Sequence, residues 1–154
     1  MRYSKGKMDY TSNKKVYANY TMRDKFEVGI ELLGHEVKSV RKGMVSLSGS
    51  FVAIRGGEAY LLGATISPYQ PNNVSSSYKK DRPRKLLLHK KELNELIGYS
   101  QQRGLTILPL RMYNKGAKIK LEIAIAQGKR KYEKREAIKK RDVRRDIDRT
   151  MKNR

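Results

Sequence analysis

The sequence of 154 residues contains no cysteine and no tryptophan. Without cysteine there are no disulfide bonds, no thiolate ligands for a metal and no thiol nucleophile. No apolar run reaches the roughly 18 residues that a transmembrane helix needs. The polar, basic segment before Lys15 also lacks the apolar core of a signal peptide. These absences predict a soluble, cytoplasmic protein without a membrane span.

Acidic residues are scarce. Only 15 Asp and Glu stand against 36 Lys and Arg, which gives a net charge of +21 and a pI near 10.2. This excess predicts a polyanionic partner, because Lys and Arg that neutralise phosphates release condensed counterions. Nucleic acid is the first candidate and an anionic membrane surface the second. The basic C-terminal segment has no Trp or Phe to anchor an apolar face in lipid, which disfavours the membrane. The ten tyrosines suit base stacking and β-strands equally.

Sequence motifs of catalysis are also missing. Neither a Walker loop nor a GxGxxG motif occurs. His35 and His89 have no motif around them, and we interpret both as structural or solvated. Glu27 and Glu31 could hold a hard cation of the kind that nucleases use, but carboxylates on a solvent face are usually solvated or paired with Lys and Arg. The sequence therefore predicts no catalytic residue, no metal site, no cofactor and no enzymatic activity.

Alternating apolar residues mark several strands. Between Phe26 and Leu32 every second residue is apolar, which predicts a strand that turns Glu27 and Glu31 away from the core. Gly34 and Gly43 bracket a segment with the spacing of one or two helical turns. Two hairpins are predicted: residues 50–55 with 58–64 around Gly56-Gly57, and residues 105–113 with 118–126 around a turn at 114–116.

The predicted elements define a fold class. Leu93, Leu96 and Ile97 have helical spacing between His89 and Gly104, which predicts one amphipathic helix among the strands. Strands that each have one apolar face need a closed or two-layered sheet to bury it. We expect a mainly β protein, an OB-like closed antiparallel barrel with short helices and a basic C-terminal tail. Its predicted parts are a flexible basic leader (1–14), the RNA-binding barrel (15–127) and the tail (128–154).

Basic residues cluster at two places in the predicted barrel. The sequence YKKDRPRK ends with Arg84 and Lys85, and the last strand carries Lys118 and Lys120. If these residues share one face of the barrel, they form a surface that follows a phosphate backbone. We therefore predict that Arg84, Lys85, Lys118 and Lys120 contact RNA.

The tail has 13 Lys and Arg against five Asp and Glu, a net charge of +8. Too few apolar residues are present for a core of its own. Several opposite charges lie three or four positions apart, which is compatible with a helix but contributes only about 0.2 to 0.5 kcal/mol per pair. We expect a tail that is disordered alone and helical on RNA.

Several short motifs in fixed order resemble the SsrA-binding protein family, also called small protein B, the protein partner of transfer-messenger RNA. The motifs are Phe26-Glu27-Val28-Gly29, Glu36-Val37-Lys38-Ser39, Gly57-Glu58-Ala59, Arg84-Lys85-Leu86-Leu87-Leu88-His89-Lys90, Gly128-Lys129-Arg130 and Met151-Lys152-Asn153. The resemblance implies an OB-like barrel and a role in trans-translation, the rescue of ribosomes stalled on messages without a usable stop codon. The alternative is a basic ribosomal or general RNA-binding protein.

The resemblance also implies roles for individual residues. In the barrel, Glu27, Leu87 and Lys120 match RNA contacts, with Asn13 and Tyr20 nearby in the pattern. The tail is implied to enter the empty messenger channel of the small subunit, with contacts at the decoding centre and along the channel from Gly128, Lys129, Arg130, Lys131, Tyr132, Lys134 and Arg135. Glu133 departs from the aspartate common in the family.

The partners implied by the resemblance are transfer-messenger RNA, the stalled 70S ribosome with its small-subunit RNA, and elongation factor Tu in the delivery complex.

Overall fold

The computed structural model describes residues 9–70 and 74–129. The strands in these ranges are β1 Asp9–Ser12, β2 Tyr20–Ile30, β3 Val45–Ser46, β4 Phe51–Arg55, β5 Glu58–Leu62, β6 Thr65–Ile66, β7 Arg84–Leu87, β8 Leu105–Lys115 and β9 Lys118–Gly128. The helices are α1 Val16–Asn19, α2 Gly34–Arg41 and α3 Lys90–Ser100. Strands dominate the described residues, so the mainly β prediction is confirmed.

The strand pairings form a ring. The order is β8-β4-β5-β7-β2-β9, and β9 pairs in turn with β8. Every pairing in this ring is antiparallel. Strand β1 adds to the far half of β8, and β3 pairs with β6 in a separate small sheet. The ring gives each strand one face toward a common interior and one toward the outside.

The interior is filled by the alternating apolar residues of the ring strands. Val28 and Ile30 of β2 and Leu121 and Ile123 of β9 are buried, and Leu96 of α3 packs into the same core. Each such side chain stabilises the fold by about 1.5 to 3 kcal/mol through burial. The predicted helix therefore covers the core, as its apolar spacing indicates.

Both predicted hairpins are present. Gly56 and Gly57 connect β4 to β5 with φ angles of 58° and 76°, which favour glycine in a two-residue turn. In the second hairpin Lys115 pairs with Lys118, so the turn lies at Gly116-Ala117 and not at 114–116. Helix α3 ends at Ser100, four residues before Gly104.

Order begins earlier than the sequence predicts. Strand β1 starts at Asp9, inside the predicted flexible leader, and the Asn13 backbone N–H donates to the Leu110 carbonyl at 2.7 Å. Strand β2 also starts at Tyr20, before the alternation that begins at Phe26. Its first part pairs with β9, and a bulge between Met22 and Lys25 interrupts the alternation there. The rest of the predicted leader (1–8) and most of the predicted tail (130–154) lie outside the described residues.

A buried polar network joins α2 to the segment before β7. Glu36 is fully buried, and its carboxylate accepts hydrogen bonds from Arg84 Nη2 at 2.6 Å, Tyr78 Oη at 2.8 Å, the Leu33 backbone N–H at 2.9 Å and Arg82. Burial alone would raise the pKa of Glu36, but the bonds from Arg82, Leu33 and Arg84 lower it to about 2. Burial and Glu36 raise the pKa of Tyr78 to about 12. The network therefore holds an ionised carboxylate inside the protein.

This network corrects one predicted RNA contact. Arg84 is fully buried, and its guanidinium also donates to the carbonyls of Ala64 and Lys80, each at 2.8 Å. The strand period of two is the physical reason. Arg84 and Leu86 of β7 point into the protein, whereas Lys85 and Leu87 point out. Arg84 is therefore a structural residue and does not present its charge to a partner.

Candidate nucleic-acid interface

The outward residues of four neighbouring strands form one surface. Across β7, β2, β9 and β8, Leu87 pairs with Gly29, Gly29 with Lys120, and Lys120 with Tyr113. Paired residues on adjacent antiparallel strands project to the same side of a sheet. We call this surface the outer face; it is marked by Glu27, Lys85, Leu87, Lys118 and Lys120, with Tyr113 beneath it. Five of the sequence-predicted RNA contacts therefore share one side of the ring.

Leu87 stands out on the outer face because 51% of it is exposed. A Cβ at Gly29 would lie 3.1 Å from the Leu87 Cβ, so the glycine leaves room for the leucine and a gap beside it. That gap opens into a shallow cavity of about 340 Å³, lined in part by Arg41, Lys118 and Lys120. An exposed apolar side chain beside basic groups suits contact with a nucleotide, whose base has apolar faces and whose phosphate is charged.

Glu27 lies on the outer face two positions before Gly29. Its Oε1 accepts a hydrogen bond from Lys115 Nζ at 2.8 Å, and its Oε2 accepts one from the Tyr113 hydroxyl. These hydrogen bonds, first from Lys115 and then from Tyr113, lower the pKa of Glu27 below its usual range. The carboxylate is therefore ionised at neutral pH and already held in one orientation.

The hydrogen bonds of Glu27 disfavour its alternative role as a cation ligand. The Glu27 oxygens face an ammonium and a phenol, neither of which favours a bound cation. Within residues 9–70 and 74–129, no group of three or more His, Asp or Glu is placed to hold a metal ion.

Lys85 reaches the outer face from β7. Its ammonium forms an ion pair with Glu58 at 3.1 Å and is 40% exposed. Glu58 also accepts a hydrogen bond from the Tyr60 hydroxyl at 2.7 Å. A lysine ammonium has three donors, so Lys85 keeps donors for a further anion while Glu58 restrains its position.

Asn13 and Tyr20 lie at a different place. Tyr20 pairs with Gly128, eight positions from Lys120 on β9, which corresponds to roughly 25 Å along a strand. Asn13 is buried, and its side-chain amide donates to the Pro109 carbonyl at 3.1 Å. Both residues line a second cavity of about 500 Å³ together with Lys15 and Phe51. The structure thus separates Asn13 and Tyr20 from the outer face.

The same end of the ring holds the start of the tail. Gly128 ends β9, and the Lys129 backbone N–H donates to the Asn19 carbonyl at 2.9 Å. The Lys129 ammonium donates to the Tyr17 carbonyl at 3.0 Å. The remaining predicted ribosome contacts lie outside the described residues; they are Arg130, Lys131, Tyr132, Lys134 and Arg135.

Three residues near the outer face were missed by the sequence analysis. Tyr113 and Lys115 bind Glu27, and Arg41 lines the cavity beside Leu87. The alternation of β8 carries a weak signal, since Arg111, Tyr113 and Lys115 are spaced by two and interrupt an apolar strand with polar groups. Their partners lie on other strands, so no local pattern reveals the contacts.

Fold and site together define a small basic β-protein with a lysine-rich face suited to a polyanion. A family model described as SmpB protein matches residues 10–153. SsrA-binding proteins of Sulfurihydrogenibium sp. (strain YO3AOP1) and Persephonella marina are each 50% identical to this chain, with 92% of both chains covered in each comparison. The chain belongs to the SmpB family of SsrA-binding proteins.

A solved structure agrees with this assignment. A chain from work described as "tmRNA-SmpB: a journey to the center of the bacterial ribosome" is 40% identical and has a TM-score of 0.62. The match covers 79% of this chain and 88% of that chain. No helix in the described part of the present chain is both long enough and apolar enough to cross a membrane.

Proposed function

We propose that this chain is an RNA-binding adaptor of trans-translation, which binds the tRNA-like part of transfer-messenger RNA and delivers it to stalled 70S ribosomes. Its relatives are named SsrA-binding proteins, and the similar solved chain comes from work on transfer-messenger RNA, SmpB and the ribosome. The observation on this chain that carries the proposal is the outer face, where half-exposed Leu87 lies beside Lys118 and Lys120.

The proposal divides the work between the body and the tail. The ring of strands acts as an OB-like closed barrel over residues 15–127, and its outer face binds the partner RNA through Glu27, Lys85, Leu87, Lys118 and Lys120. The second cavity, with Tyr20 on its wall and Asn13 beneath, adds a contact near the start of the tail. Tyr20 is the more accessible of these two residues. Two separate contact regions suit a protein that holds one RNA while it meets another.

In this proposal the tail (128–154) detects a vacant messenger channel. Gly128 and Lys129 connect the body to the tail, and the following residues through Arg135 contact small-subunit RNA near the decoding centre. A messenger that occupies the channel excludes the tail. The protein acts in the cytoplasm, performs no chemistry and needs no cofactor, and elongation factor Tu accompanies it in the delivery complex.

The RNA that copurifies with the protein tests the proposal directly. At moderate salt we expect one tRNA-like RNA to remain bound, because specific binding exceeds nonspecific binding by about 10³-fold or more. Sequencing of the bound RNA gives the result. A mixture of ribosomal and messenger fragments without enrichment of transfer-messenger RNA would instead identify a general RNA-binding protein.

Replacement of Leu87 by alanine is expected to weaken binding of the tRNA-like RNA by roughly tenfold, as for the loss of one apolar contact of about 1.4 kcal/mol. The thermal midpoint should change little, because half of the side chain is exposed. Fluorescence anisotropy with a labelled RNA and a thermal melt measure the two effects.

The neighbouring leucine provides the matched control. Leu86 is 3% exposed in the core, so Leu86→Ala should lower the free energy of unfolding by about 2 to 5 kcal/mol. If Leu87→Ala destabilises the protein as strongly as Leu86→Ala, Leu87 is a packing residue and its role as an RNA contact is wrong.

A further inference from the structure

The orientation of the Glu27 carboxylate is fixed from beneath by a buried tyrosine. Tyr113 is 1% exposed, and its hydroxyl donates to Glu27 Oε2. Burial and the Glu27 carboxylate raise the pKa of Tyr113, so the hydroxyl keeps its proton at neutral pH. Because Tyr113 cannot move without disturbing its surroundings, the carboxylate is held rigidly on that side.

Tyr113 is itself held by neighbouring charges. The Arg111 guanidinium carbon lies 4.2 Å from the centre of the Tyr113 ring. Arg111 in turn forms ion pairs with Asp9 at 2.7 Å and Glu122 at 3.4 Å. The stack of Arg111 on the Tyr113 ring restrains the position of that ring. On the solvent side, Lys115 is 64% exposed and donates to the other oxygen of Glu27 at 2.8 Å.

The bound carboxylate retains acceptor capacity. An ionised carboxylate has about four lone-pair sites, and Tyr113 and Lys115 occupy two of them. The remaining sites accept hydrogen bonds and donate none. A phosphodiester has no proton to donate at neutral pH, whereas base N–H groups and ribose 2′-hydroxyls do. Glu27 therefore matches a donor on RNA and repels a phosphate at the same position.

We propose that Tyr113 and Lys115 are positioning residues for RNA recognition, which orient the Glu27 carboxylate so that it accepts a hydrogen bond from a base N–H or a 2′-hydroxyl beside Leu87. The inference rests on the proposed function and adds the chemical group that the outer face recognises. It makes Glu27 selective for a hydrogen-bond donor on RNA. A carboxylate that was not oriented in this way would only repel the phosphates that bind to the same surface.

The test compares Tyr113→Phe, Glu27→Gln and the double variant in the full-length protein, with a transcript of the tRNA-like domain as the probe. We expect Tyr113→Phe to weaken binding by roughly three- to tenfold, the effect of one hydrogen bond. The double variant should bind no more weakly than Glu27→Gln, because Tyr113 acts through Glu27. Effects that multiply in the double variant would overturn the inference.

Titration of Glu27 gives a measurement that a purely structural role would not move, and the salt dependence separates a hydrogen-bonding role from a phosphate contact. The slope of log K against log salt should be unchanged in Tyr113→Phe, whereas Lys120→Met should reduce it by about 0.7 to 0.9. The pKa of the Glu27 carboxyl, followed by carbon NMR, should rise in both Tyr113→Phe and Lys115→Met. An unaltered Glu27 pKa in both variants would show that neither residue holds the carboxylate.

Two matched controls separate the role from general damage. Tyr99→Phe removes a similar hydrogen bond, from the Tyr99 hydroxyl to Asp24 at 2.6 Å, away from the outer face. Lys91→Met removes an exposed charge on α3. If Tyr113→Phe fails to fold, Lys115→Met carries the test, and an affinity equal to that of Lys91→Met overturns the inference.

The remaining outcomes identify the donor and test the underlying assumption. Loss of the Tyr113→Phe effect with a transcript that carries 2′-deoxyriboses at unpaired positions identifies a ribose hydroxyl, and persistence of the effect identifies a base N–H. Wild-type affinity of Glu27→Gln would overturn the inference and leave the proposed function standing. Failure of the unaltered protein to bind the transcript would overturn the proposed function itself.

Discussion

Replacement of Glu36 by glutamine is expected to lower the free energy of unfolding by about 3 kcal/mol at neutral pH, because it leaves the buried Arg84 guanidinium without an anion. Glu36 and Arg84 are both fully buried, so water cannot take the place of the lost charge. In the variant Arg84 still donates to the carbonyls of Ala64 and Lys80. These carbonyls are dipoles and do not neutralise the guanidinium as the Glu36 carboxylate does.

The pH dependence of stability identifies the same group. Glu36 has a folded-state pKa of about 2, lowered from its usual value of 4.5. A lowered carboxyl pKa contributes stability that is present above pH 4.5 and is lost as the pH falls toward 2. A difference of this size corresponds to about 3 kcal/mol. The loss of stability between pH 4.5 and 2 should be smaller in Glu36→Gln, which has no carboxyl to protonate there.

Urea unfolding at neutral and acidic pH measures both effects. Glu95→Gln is the control, since it removes the same charge from an exposed position on α3 and should change stability by less than about 0.5 kcal/mol. Equal stability of the two variants at neutral pH would show that the network contributes nothing beyond its packing.

The sequence predicts the parts of the fold that are set by neighbours along the chain. The hairpin of β4 and β5 follows from Gly56-Gly57 between two strand patterns, and α3 follows from its apolar spacing. The first half of β2 does not, because a bulge after Met22 disrupts the alternation and pairing with distant β9 supplies the order. The closure of the ring cannot be predicted from local patterns either, since its pairings other than the two hairpins join strands that are not consecutive in the sequence.

The site shows the same division. Lys85 on β7 and Lys118 and Lys120 on β9 all point outward, as their grouping by charge requires, whereas Leu87 is singled out only by the family resemblance. Charge alone also predicts Arg84 as an RNA contact, which is wrong because a strand turns every second residue inward. The strand period of two places Arg84 with Leu86 on one face of β7 and Lys85 with Leu87 on the other. Each face has one basic residue and one leucine, so the sequence does not show which face is buried.

Removal of residues 130–154 is expected to abolish peptide tagging on stalled ribosomes while affinity for the tRNA-like RNA stays within about threefold at physiological salt, since the lost charges contribute mainly sequence-independent attraction. The outer face is complete without these residues. Gly128 lies roughly 25 Å along β9 from Lys120, so the cut falls far from Leu87 and Glu27. Keeping Lys129 preserves its bonds to Tyr17 and Asn19.

Tagging by purified stalled ribosomes, measured over a range of RNA concentration, distinguishes a tail defect from a binding defect. Leu87→Ala is expected to weaken RNA binding, so excess RNA should restore its tagging by mass action. The truncated protein is expected to remain inactive at every RNA concentration, because its fault lies after the RNA is bound. A helix of the 25 residues from 130 to 154 would span about 38 Å, long enough to extend well into a channel. Restoration of tagging in the truncated protein by excess RNA would mean that the tail only adds affinity, and that detection of the vacant channel resides elsewhere.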